Sequence, residues 1–449
     1  MKTMLLVSIL LTGLNAYAVK ITNLELYQRC HAHLVGDAVK LSDPILFEIK
    51  NNRISGVDAC KDLLKSAQLS GNNPLPKANI KGIKVLENLF KVHANWFESK
   101  TIDGDLANGR ALYEASPGGL YYTKALFDPS FTFADMFKGT TSLEAIRSDG
   151  SPARTNIRNL EVATFRYRTD GSNSAVWSGL VLPQVGDLEG IRPQRQLNLA
   201  NFRGRAGNSP FNGSLGGGVL GNRNYVMRTT KERGFRSDGA VQTPRRWGRS
   251  IFVDFLCQDV PVINIASDTT PYVDPMSSTA FRTTAGCVSC HASMDQLAGL
   301  VRNYSTAEIT PDNINFQAPF FHPITIPAAP YEWKANGDRD YFQQAAKGKF
   351  YYRTIDGELI DRNVDNLNAL GNLLSQTDDV YICAASRYLE HFTGIKYPMN
   401  KVAANSSSTY SQAIRSLATD LKADQDPMKL IEKILSSEIY SDSKFKAGE

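Results

Sequence analysis

Cys287-Val288-Ser289-Cys290-His291 is the run that most constrains this chain. Two cysteines at C-x-x-C spacing can form thioethers with the two vinyl groups of one haem. The histidine that follows is then placed to ligate the iron from one face. A C-x-x-C pair can also serve a zinc site or a disulfide. No second C-x-x-C or His-x-His lies nearby to complete a tetrahedral zinc set. A thioredoxin-like site would need a strand-to-helix context, which the Thr, Ser, Asp and Pro of residues 267–279 do not offer. The expectation is one covalent haem c, held by Cys287 and Cys290, with His291 as proximal ligand.

The N-terminus agrees with that chemistry, because c-type haem is attached outside the cytoplasm. Met1 and Lys2 give a basic start, Leu5 to Leu14 a short apolar stretch, and Ala16-Tyr17-Ala18 a small-x-small cleavage site before Val19. The stretch is short for a bilayer span, and no cysteine follows the cut to carry a lipid anchor. An exported protein of the periplasm or cell envelope is expected, with no transmembrane span.

At 449 residues the chain is too long for one small cytochrome domain and suggests two to four packed units. With 42% hydrophobic and 21% charged residues it has a globular composition, which argues against disorder. A net charge of +5 is slight for this length, so nucleic acid is not an expected partner. Cys30, Cys60, Cys257 and Cys383 remain outside the motif, an even number suited to an oxidising compartment. Four cysteines allow three pairings. Cys30–Cys60 is favoured because it would tie two neighbouring helices, leaving Cys257–Cys383; buried free thiols are the alternative.

Apolar periodicity divides the chain into a signal peptide (1–18), an N-terminal helical domain (19–150), a mixed region with a β-hairpin and an Arg/Gly-rich stretch (151–248), a haem-binding segment (249–345) and a C-terminal helical domain (346–449). Asn23 is read as the cap of a first helix, and Ser55 with Asp58 as a capping-box-like start. Ile83, Leu86, Phe90, Trp96 and Phe97 lie at helical spacing, and Phe127-Asp128-Pro129 and Gly150 read as breaks. Alternation in 162–168 and 175–181 around Asp170-Gly171 signals the hairpin. Another helix is expected from Arg249 to Cys257. Phe316 to Trp333, rich in proline and aromatics, should be irregular. The fold class is therefore mainly α with a small β-hairpin region, the haem segment being embedded in a multi-domain helical protein.

Candidates for the sixth iron ligand are His322, within Phe320-Phe321-His322-Pro323, Met399 and Met276. Each has a plainer reading, as a loop histidine or as core packing. Met294, three residues from His291, belongs to the proximal side. His31 and His33 fall on alternate faces of a short helix and cannot easily share a metal. His93 lies on an apolar stripe, where a satisfied core histidine is the better reading, and His391 is read as packing near Phe392. Arg245 or Arg246 could meet the haem propionates, the plainer alternative being a solvated basic face or a docking patch. Gly216-Gly217-Gly218 lacks the strand and lysine of a phosphate loop, and no G-x-S-x-G or H-E-x-x-H is present.

Arg245-Arg246-Trp247-Gly248-Arg249, the stretch from Phe255 to Pro261 and the run from Cys287 to Asp295 together resemble the planctomycete-type cytochrome c-like proteins. These are large exported proteins with consecutive domains of unknown function. Asp356-Gly357-Glu358-Leu359, Leu370-Gly371, Cys383 to Tyr388 and Phe392-Thr393-Gly394 resemble the domain that usually follows the haem segment, and Phe131 to Ile146 the one that usually precedes it. The chain has Phe281 where family members often have a histidine, and Cys30-His31 lacks the paired cysteine of an additional N-terminal motif. The resemblance implies a single haem, electron transfer and a redox partner protein in the envelope. An enzyme with an open iron face, of peroxidase or oxygenase type, and an envelope protein that uses haem as a folding staple are the alternatives.

Overall fold

The computed structural model describes residues 20–97, 116–151, 153, 188–193, 214–222, 225–226, 242–263, 265–276, 282–301, 304–307, 320–323, 346–403 and 407–442. The expected signal peptide and the hairpin expected within 162–181 lie outside these. The described residues are mainly helical, with three two-stranded antiparallel ladders.

Helix α1 (Asn23–Val35) is capped by Thr22, one residue before the expected Asn23. The Glu25 N–H donates to Thr22 Oγ1 (3.2 Å), and the Thr22 N–H donates to Glu25 Oε2 (2.8 Å). The Asn23 side-chain oxygen instead accepts from the Gly56 N–H (3.1 Å), binding α1 to the start of α3. After the short α2 (Pro44–Lys50), α3 (Gly56–Lys65) begins at the expected Ser55 cap, whose Oγ accepts from the Asp58 N–H (3.0 Å). Cys30 and Cys60 form the favoured disulfide between α1 and α3. Helix α4 (Ile80–Asn95) stops just before Trp96 and Phe97, which the spacing had placed inside it. Phe97 then lies over Gly118 at the start of α5 (Pro117–Phe127), a helix whose every residue is buried. It ends where Asp128-Pro129 predicted.

Strands β1 (Leu143–Ile146) and β2 (Gly190–Pro193) pair antiparallel. Next in order come α6 (Gln242–Leu256), α7 (Ala266–Thr269), α8 (Ala285–Ala298), β3 (Tyr304–Ala307) and β4 (Phe320–Pro323). Helix α6 begins at Gln242, earlier than the expected Arg249. Phe320–Pro323, inside the stretch expected to be irregular, pairs with β3. The Gly216-Gly217-Gly218 run is a tight turn in which all three φ values are positive. Its N–H groups are spent inside the protein, on Ser214 Oγ (3.2 Å), Asn368 Oδ1 (2.6 Å) and the Gly139 carbonyl (3.0 Å).

Strands β5 (Gly348–Arg353) and β6 (Leu359–Val364) form a hairpin at the start of the 346–449 segment read as a helical domain. Its loop is Ile355-Asp356-Gly357, closed by the Gly357 N–H donating to the Thr354 carbonyl (2.8 Å), with Gly357 at φ 84°. Phe350, Tyr351 and Tyr352 are all buried, so the strand shows no alternation. One face packs on α6, with the Phe350 ring stacked 6.1 Å from Phe252. The other joins a small apolar cluster of Ile263, Val288, Ala292 and Tyr351.

Helices α9 (Leu367–Leu374), α10 (Asp378–Thr393), α11 (Thr409–Asp424), α12 (Pro427–Ser436) and α13 (Glu438–Ser441) complete the chain. Helix α10 is buried on nearly all sides, the mark of a central core helix. The main core runs from Leu26 to Tyr440, so residues of the 19–150 and 346–449 segments share it. Arg29 Nη1 donates to the Tyr440 carbonyl (2.6 Å) across that join. Cys257, just past α6, is bonded to Cys383 in α10, which completes the second expected pair.

Asp379, in the first turn of α10, is 2% exposed and accepts from Gln258 Nε2 (2.8 Å) and the Ile355 N–H (3.1 Å). Burial raises its pKa to about 7, with Asp356 and Asp378 adding to the rise and the Ile355 bond opposing it. The folded state therefore holds this proton at pH values where the unfolded chain has lost it. Stability contributed by Asp379 is full below about pH 4 and falls as pH rises towards 7. Asp379→Asn should remove that decline, so the variant gains on the wild type between pH 4.5 and pH 8, by on the order of a few kcal/mol. Guanidinium unfolding at the two pH values measures it. An unchanged difference between variant and wild type would refute the assignment.

Candidate functional site

The haem-type motif occupies the first turns of α8. Helical spacing of i, i+3 and i+4 places Cys287, Cys290 and His291 on one face. Cys287 is exposed, Cys290 is half-buried, and both are free thiols. Val288, Ala292 and Leu297 are buried and dock the helix onto the protein.

Two glycines allow that docking. Helix α6 crosses α8 at Gly248, where an added Cβ would fall 2.7 Å from the Met294 carbonyl oxygen. Strand β5 begins at Gly348, where a Cβ would fall 2.8 Å from the Gln296 carbonyl oxygen. The motif helix is thus gripped through its backbone from two sides, while its cysteine face is turned outwards. Trp247, fully buried beside Gly248, anchors α6 through Nε1 to the Leu220 carbonyl (2.9 Å).

The His291 ring is held by Asp295, one turn on. Nδ1 lies 3.1 Å from Oδ1 and 3.2 Å from Oδ2. Arg245 of α6 grips the same carboxylate as a fork, Nε to Oδ1 at 2.8 Å and Nη2 to Oδ2 at 3.2 Å. A carboxylate so held accepts hydrogen bonds, so the neutral imidazole carries its proton on Nδ1 and its lone pair on Nε2. Nε2 is the nitrogen a metal would take, and a carboxylate on the far nitrogen is the usual outer-shell arrangement of a ligating histidine. This donor set suits a covalently attached haem: two accessible thiols and one oriented imidazole on a single helical turn.

The sequence offers Arg245 or Arg246 to a haem propionate; in the fold Nε and Nη2 of Arg245 grip Asp295. In the sequence Asp295 stands out only as the end of the Cys287–Asp295 run. Its i, i+4 spacing from His291 was the signal that could have singled it out.

The three candidates for the sixth ligand stand on different elements. Met399 sits in a 3-10 turn, Met399–Lys401, and packs on the main core. Met276 stands at a turn, 91% exposed. His322 pairs with Ser305 in the β3–β4 ladder. Among the described residues no group of three or more His, Cys, Asp or Glu side chains is placed to hold a metal ion.

The other histidines have structural roles. His93 is fully buried, and its Nδ1–H donates to Thr123 Oγ1 (2.8 Å), whose own hydroxyl proton goes to the Gly119 carbonyl (2.7 Å). Tyr388 Oη donates to His93 Nε2 (3.0 Å), so both ring nitrogens are satisfied. His31 Nδ1 bonds to the Asp37 carbonyl (2.9 Å), whereas His33 faces Tyr440 and His391, in keeping with their alternate faces. Burial, with His391 and Arg29 nearby, lowers the His33 pKa to about 4. The His391 ring lies 4.9 Å from Phe392.

No protein-family model, curated protein or solved structure matches the chain. No helix among the described residues is long and apolar enough to cross a membrane.

Proposed function

We propose that this protein is an exported, mono-haem, c-type cytochrome-like electron carrier of the planctomycete type. The observation that carries the reading is the single face of α8 that bears the exposed Cys287 thiol, the half-buried Cys290 thiol and an imidazole oriented by Asp295. Cys287 and Cys290 hold the haem through their sulfurs, and His291 Nε2 is the proximal donor. The bound group supplies a one-electron store at its iron. Val288 and Ala292 fix the helix, Asp295 fixes the ring, and His322, Met399 or Met276 is the candidate for the opposite face. The basic, apolar N-terminus and the two disulfides support an envelope location, where such bonds persist. The physiological partner is a redox protein of that compartment.

Expression in cells competent in cytochrome maturation should give a haem-staining band after denaturing electrophoresis, with the added mass of one porphyrin. An unstained band from such cells would end the proposal. Carbon monoxide added to the reduced protein separates carrier from enzyme: an unchanged spectrum marks a filled sixth position, and prompt binding marks an open face.

A further inference from the structure

We propose that Asp295, clamped by Arg245, lowers the reduction potential of the iron that His291 would ligate. The inference rests on the haem reading of the motif and adds to it a pair of residues that set its electron affinity. A full carboxylate at Nδ1 pulls harder on the imidazole N–H than a neutral carbonyl would, which makes Nε2 a stronger donor. Stronger donation favours the more positively charged, oxidised iron, and the negative charge of Asp295 acts in the same direction. The charges are partly shielded from solvent, the side chains of His291, Asp295 and Arg245 being 25%, 18% and 22% exposed. Screening by salt is correspondingly incomplete.

Arg245 has a double part. It fixes the carboxylate against the ring through a two-point fork, and it offsets part of the negative charge. It comes from a different helix, brought to the site by the close α6–α8 crossing at Gly248. Asp295 and Arg245 are positioning residues, and removing one should act on the iron with the opposite sign to removing the other.

The test is a redox titration of the full-length, haem-loaded chain as wild type, Asp295→Asn and Arg245→Gln. Asp295→Asn should shift the equilibrium tenfold or more towards reduced iron, about 59 mV for a one-electron couple. Arg245→Gln should shift it towards oxidised iron. Two loaded variants with unchanged potentials, or with shifts of the same sign, overturn the proposal. So does loss of haem from both variants, which assigns the contact to assembly of the site alone. If only one variant loads, the sign of its shift decides. A wild type without haem defeats the underlying reading instead, and is seen before any variant is titrated.

Discussion

A Cys287→Ala/Cys290→Ala double variant should lose its haem-staining band completely and keep its helical circular dichroism. On the proposed haem reading each sulfur would carry one of the two thioether bonds, so without both only a bond from His291 would remain, and denaturing electrophoresis would break it. The fold has little stake in either thiol. Cys287 is exposed and Cys290 half-buried, and the apolar contacts of α8 are made by Val288, Ala292 and Leu297. Alanine is also the best helix former, so the helix itself is not weakened. The expected stability change from the side chains alone is about 0.5 kcal/mol or less. A stain that survives the double substitution would contradict covalent attachment at this motif. Loss of the helical signal together with the stain would favour haem as a folding staple over haem as an electron store.

Replacing Cys257 and Cys383 by alanine should cost about 2–5 kcal/mol of stability. The bond joins residues 126 positions apart and ties the end of α6 to the central helix α10. Freeing so long a loop restores much conformational entropy to the unfolded chain. The Cys30–Cys60 bond spans 30 positions, so its loss should cost about 1 kcal/mol less by the same loop-closure reasoning. Guanidinium midpoints of the two double variants compare them directly. A larger loss for Cys30→Ala/Cys60→Ala would overturn this ranking. Because α6 also carries Arg245 and Gly248 to the motif helix, the Cys257–Cys383 variant should load haem less completely as well.

Local signals in the sequence were read well where one neighbour or one turn decides the outcome. Ser55 caps α3, Asp128-Pro129 ends α5, and His93 on its apolar stripe is a satisfied core residue. The cap of α1 slipped by one residue because Thr22 and Asn23 are both good capping types. Thr22 wins through Glu25, while Asn23 is taken up by α3. The β5–β6 hairpin was missed because strand periodicity depends on one face meeting water. Here Phe252 of α6 covers one side and Val288 and Ala292 of α8 face the other, so the alternation is erased.

The amino-acid sequence alone determined the haem-type motif and the candidate disulfide partners, because each depends on spacing along a few residues or on a count of cysteines, whereas the single face the motif presents came with helix α8. The sequence also held the i, i+4 relation of His291 to Asp295. Only the tertiary structure decided that Arg245 closes on that carboxylate, and that glycines at 248 and 348 let α6 and β5 lie on the backbone of the motif helix. Those contacts join segments some fifty residues apart, and they follow from how helices and a hairpin pack, which no local pattern of residue types records.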